Sequence, residues 1–68
     1  MSKLYSSTHI IKILQKEGFI YVSQRGSHVK FKKSDKTVIV PANRKEIPYG
    51  TFKSILRQSS LKEKHFKK

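Results

Sequence analysis

Cysteine is absent from this 68-residue chain, which excludes both a disulfide framework and a thiolate metal site. Long apolar runs are missing as well. The longest aliphatic stretch, Val38-Ile39-Val40, falls far short of the roughly 20 residues that a membrane span needs. Met1-Ser2-Lys3-Leu4-Tyr5 carries no apolar segment of the secretory-signal kind, so the expectation is a cytoplasmic protein that does not cross a membrane. No internal repeat or low-complexity linker divides the chain, and a chain this short buries only about 60% of its unfolded surface. One domain with one thin core is expected, over residues 1–60, followed by a basic tail at 61–68. Acidic residues are scarce: four Asp and Glu stand against sixteen Lys and Arg, a formal charge of +12. Such a density favours polyanions, which makes nucleic acid the first candidate partner, an anionic membrane surface the second and an acidic protein the third.

Ser6, Ser7 and Thr8 supply N-cap hydroxyls, and Ile10, Ile11 and Leu14 share one face at helical spacing. A helix is therefore expected from Ser7 to Glu17, ended by Gly18 at a position that tolerates positive φ. Phe19-Ile20-Tyr21-Val22 is aromatic and β-branched and reads as a strand; Gln24-Arg25-Gly26 reads as a turn. From Ser27 the alternation is clean. Val29 and Phe31 must face a core, so the pleat sends His28, Lys30 and Lys32 outward together. Ser34-Asp35-Lys36 has turn chemistry, Thr37 to Pro41 reads as the returning antiparallel strand, and Phe52, Ile55 and Leu56 mark a second helix over Pro48 to Gln58. Gly50 in its first turn suggests a packing or backbone-approach requirement. The tail reads equally well as a frayed helix or as a disordered extension. Tyr21 and Phe31 are assigned to the core, and Tyr49 is left open. The order α-β-β-β-α gives an α+β fold, a three-stranded antiparallel sheet with two helices on one face and the other face open.

Several of these features occur together in the order seen in one known family. Leu14 to Gly18-Phe19, Arg25-Gly26-Ser27-His28, Val38 to Pro41, and Pro48-Tyr49-Gly50-Thr51 to Ile55-Leu56 make the chain, over about residues 4 to 58, resemble the HicA toxins of type II toxin–antitoxin systems. Their fold is similar to the double-stranded-RNA-binding domain. The resemblance implies an mRNA interferase, an endoribonuclease acting on mRNA with His28 at the catalytic position. It also implies a HicB-type antitoxin as inhibitory partner, with any DNA binding residing in that partner. The chain departs from the family at one point: many relatives carry a second His after the Val-Pro that ends the last strand, where this chain has Ala42 and Asn43.

Metal-independent RNA cleavage needs a base for the ribose 2′-hydroxyl, cations for the charge that accumulates on phosphorus, and an acid for the leaving 5′-oxygen. His28 suits proton transfer near neutral pH, and neighbouring cations favour its neutral, basic form. Lys30 is assigned a phosphate contact, followed by Lys32 and Arg25. Gly26 and Ser27 act through the turn, where Gly permits unusual backbone angles and a small Ser lets RNA approach. The general acid is unassigned, and neither cofactor nor metal is called for. A lone surface His beside lysines is ordinarily a solvated strand residue; the family pattern is what raises His28 above that. His9, in the first turn of a helix, and His65, in the basic tail, read as solvated rather than catalytic or metal-binding. The alternative reading is a non-catalytic basic RNA-binding module. A helix-turn-helix does not fit, because the two helices are separated by a β-rich stretch.

Overall fold

The computed structural model describes residues 4–67. Met1-Ser2-Lys3, part of the N-terminal stretch read above, and Lys68 of the basic tail lie outside that range. The elements are α1 (Ser7–Lys16), β1 (Ile20–Arg25), β2 (His28–Lys33), β3 (Lys36–Pro41), α2 (Tyr49–Ser59) and a 3₁₀ turn (Glu63–His65). The strands form one antiparallel sheet in the order β1-β2-β3, so the expected α-β-β-β-α fold is the one observed.

Helix α1 starts where the Ser6 hydroxyl accepts the His9 N–H at 3.1 Å, an N-cap that satisfies one of the helix's orphan donors. It buries Ser7, Ile10 and Leu14. Gly18, at φ 99°, follows its C-terminus, and Lys33 Nζ donates to the Glu17 carbonyl at 2.8 Å, placing a cation at the negative end of the helix dipole. Ser7 does more than start the helix. Its hydroxyl donates to the Pro41 carbonyl at 2.6 Å and accepts the Arg44 N–H at 2.9 Å, fastening α1 to the loop that leaves β3.

Val29 and Phe31 of β2 and Val38 and Val40 of β3 are buried beneath the helices, together with Phe19, Ile47, Phe52 and Ile55. Both helices pack chiefly over β3, leaving β1 beyond their cover, with every residue of β1 exposed. That explains two departures from the sequence reading. Gln24 and Arg25 belong to β1 and not to a turn, because a strand solvated on both sides has no apolar alternation to reveal it; the turn is Gly26-Ser27, with Gly26 at φ 60° as a tight hairpin requires. Tyr21, assigned to the core, is 56% exposed and touches Phe31 edge-on at 6.3 Å between ring centroids. Phe31 is in the core as expected.

The tail is ordered as far as Lys67, the last residue described. Phe66 is fully buried, meeting Phe52 edge-on at 5.2 Å and Tyr5 at 6.4 Å. His9, read from sequence as solvated, stacks on Tyr5 at 5.0 Å, and its Nε2–H donates to the Phe66 carbonyl at 2.6 Å. Gly50 has open space where a Cβ would stand, so no packing need for it exists within this fold.

Candidate functional site

Cross-strand partners in an antiparallel sheet share a face, so the pairing register reads out the open side directly. The register across the sheet is Arg25–His28–Pro41, then Ser23–Lys30–Ile39, then Ile20–Lys32–Thr37. Three parallel rows result, each centred on a basic residue of β2. Two residues of strand separate neighbouring rows, roughly 6.5 Å. The phase of β1 in these rows depends on a bulge: Tyr21 pairs with Phe31 and Ser23 with Lys30, leaving Val22 without a partner. The extra residue lets Tyr21 stay on the core side while Ser23 and Arg25 turn to the open side.

His28, Lys30 and Lys32 are all exposed and point away from the helices, as the alternation implied. Arg25 stands directly opposite His28, so the hairpin brings a guanidinium and an imidazole together. Gly26 and Ser27 form the connecting turn. Ser27 is held by its carbonyl, which accepts the Ala42 N–H at 2.6 Å, and this bond anchors the start of β2 to the end of β3. Asn43 follows in the left-handed region at φ 58°, so Ala42 and Asn43 lie beside the His28 end of the sheet.

Ser23, Arg25, His28, Lys30 and Ile39 enclose a shallow concavity of about 290 Å³ on this face. Ser23 and Ile39 were not singled out from sequence. Ser23 reaches the face only through the bulge, and Ile39 sits in an aliphatic run, Val38-Ile39-Val40, without polar alternation. Ile39 is held firmly, because its N–H donates to Gln58 Oε1 of α2 at 3.0 Å.

No carboxylate interrupts the rows. Glu17 ends α1, Asp35 lies in the β2–β3 turn at the far end from His28, Glu46 is in the loop before α2, and Glu63 is in the 3₁₀ turn. Among the described residues there is no group of three His, Asp or Glu that could hold a metal ion, and no helix long and apolar enough to cross a membrane.

His65, Tyr49 and Lys33 are engaged elsewhere. His65 Nδ1 accepts the Lys62 N–H at 3.0 Å. Tyr49 donates its hydroxyl to Glu63 at 2.6 Å; that hydrogen bond, then desolvation and the Glu63 charge, raise the phenol above its ordinary value. Lys33 sits 5.9 Å over the Phe19 ring and caps α1, away from the rows.

Comparison with known proteins gives a family. No match is found among curated proteins. The family model described as the HicA toxin of bacterial toxin–antitoxin systems matches residues 7–61, which take in both helices and the whole sheet. With the sheet order and the exposed Gly26-Ser27-His28 corner already in place, the chain belongs to the HicA toxin family.

Proposed function

We propose that this toxin is a metal-independent endoribonuclease that cleaves mRNA, with His28 as its proton-transfer group and a HicB-type antitoxin as its inhibitor. The observation that carries this reading is the exposed His28 imidazole, on a carboxylate-free face with Arg25 across the hairpin and Lys30 and Lys32 in successive rows. A phosphodiester that reaches His28 meets Arg25 beside it across the hairpin and Lys30 one row further along β2.

The ribose 2′-oxygen attacks phosphorus in line and its proton passes to His28. The new bond to the 2′-oxygen forms as the bond to the 5′-oxygen breaks. Arg25 and Lys30 stabilise the equatorial oxygens, where charge accumulates in the transition state. Exposure of His28 lets solvent water supply the proton that the 5′-oxygen takes up. The products are a 2′,3′-cyclic phosphate and a 5′-hydroxyl. An inhibitor with an acidic surface covers the same face by electrostatic steering, and DNA contacts belong to that partner.

The test is expression of wild type and His28→Ala from a tightly controlled promoter, with RNA cleavage followed in vitro. Wild type is expected to stop growth and to leave cyclic phosphate ends in the presence of a chelator; His28→Ala, equally folded, does neither. Equal toxicity of the two proteins, or cleavage abolished by the chelator, overturns the reading. One observation favours a non-catalytic RNA-binding module: Ala42 and Asn43 supply no second imidazole beside His28. That module predicts RNA binding that weakens steeply with salt and no cleavage by either protein.

A further inference from the structure

We propose that the concavity enclosed by Ser23, Arg25, His28, Lys30 and Ile39 is a pocket for one nucleobase of a single-stranded RNA, the base next to the scissile phosphate. Ser23 and Ile39 are then the residues that set base preference. The inference rests on the nuclease reading for the identity of that phosphate, but the pocket itself stands on geometry.

The first row of the open face presents Arg25 and His28, and the second presents Lys30, so cations flank the concavity on both sides along the strand direction. Within the second row Lys30 has Ser23 on one side and Ile39 on the other, and there the lining changes character. Ile39, half-buried, offers an apolar surface, and exposed Ser23 offers a hydroxyl that both donates and accepts. A phosphate has no use for an isoleucine wall, because burying its charge against a hydrocarbon forfeits hydration without compensation. A base fits both features, with a flat face for the hydrocarbon and a polar edge for the hydroxyl.

Size narrows the occupant further. At about 290 Å³ the concavity is close to the smallest ligand pockets, which begin at about 300 Å³, and it has room for a base. A base inside a duplex does not enter, because its edges are paired and its faces stacked; only an unpaired nucleotide can be turned into the sheet. The pocket is also preorganised. Gln58 holds the Ile39 backbone and the bulge at Val22 fixes Ser23 in the second row, so binding orders little of the protein.

The experiment uses full-length protein with His28 in place and probes whose riboses are 2′-O-methylated, which removes the attacking hydroxyl, so that binding is measured without cleavage. The probes are fluorescein-labelled 12-nucleotide single-stranded oligoribonucleotides and a ribose-phosphate strand of the same length lacking bases. Expected is an affinity at least tenfold higher for the base-bearing strand. Ile39→Ala in the same background should reduce that ratio to about threefold or less. Ser23→Lys, which adds a cation but fills the mouth, should bind the baseless strand at least as well as its parent while losing the preference for bases. Circular dichroism should match the parent for both variants; the thermal melt should match it for exposed Ser23→Lys and fall modestly for half-buried Ile39→Ala. Equal affinity of the parent for the two strands overturns the pocket, as does a preference that survives both substitutions. In wild type, Ser23→Ala should redistribute cleavage sites among the four bases without moving the product chemistry. Absence of any wild-type cleavage would defeat the nuclease reading, while the binding comparison would still decide the pocket.

Discussion

His9 and His28 are the same side chain in two regions that use it in opposite ways. His9 is half-buried on the helical side, stacked on Tyr5 and donating to the Phe66 carbonyl, so its ring is committed to holding the tail against the first helix. His28 is exposed at the corner of the open sheet face, opposite Arg25, and the hydrogen-bond network of the described residues does not draw on its imidazole. The difference teaches that two imidazoles of one basic chain take their character from their surroundings. What separates them is the layer of the fold in which each ring stands.

Substitution of each histidine should break that comparison in opposite directions. The largest effect is expected for His28→Ala: cleavage falls by about 10²–10⁴-fold, the contribution of a positioned general acid–base group, while the urea midpoint stays where it was. Phe66→Ala should do the reverse. Removing a fully buried aromatic ring costs about 3–5 kcal/mol, a large part of the stability of a domain this size. Urea denaturation followed by circular dichroism should show the loss, and the protein that remains folded should cut RNA at the normal rate. His9→Ala is expected between these, at about 1–3 kcal/mol, from the lost hydrogen bond and the orphaned Phe66 carbonyl. A loss of cleavage in folded His9→Ala would break the division between the two regions.

Sheet polarity was legible in the sequence, and the tail was not. His28 to Lys33 alternates because one face of β2 must meet both helices, so three outward positions could be read from two inward ones, Val29 and Phe31. β1 carries no such signal. With solvent on both sides its composition is unconstrained, and Gln24 and Arg25 look like loop residues. Phe66 stands alone among lysines, so no periodic pattern announces that it is buried. Its place depends on Tyr5 and Phe52, which are remote in sequence. The candidate site was half visible for the same reason. The β2 residues follow from alternation, whereas Ser23 and Ile39 depend on register, which only the paired strands reveal.

Two smaller effects sharpen the comparison. The Tyr49 phenol is raised by its bond to Glu63; a group whose folded value lies above its unfolded one adds stability below the unfolded value, about 10 for tyrosine, and loses it as pH rises through the folded one. Melting temperature should therefore fall less between pH 9 and pH 11, roughly the range spanning tyrosine ionisation, in Tyr49→Phe than in wild type. The slightest change is expected for Gly50→Ala, a stabilisation of about 0.5–1 kcal/mol, because a methyl group there meets open space. If the same variant impaired cleavage or antitoxin binding, the helical side would have a functional contact of its own.

The unpartnered Val22 sets the parity of the first strand. Were Val22 drawn into the ladder, the pairing from there to the turn would slip by one: Val22 would face Lys30, Ser23 would face Val29, and Gln24 would displace Arg25 from its place opposite the imidazole. Deleting Val22 removes the spare residue and leaves every other pair as it is. A one-codon deletion there should therefore be tolerated by the corner where His28 stands, whereas inserting a residue between Ser23 and Arg25 should not.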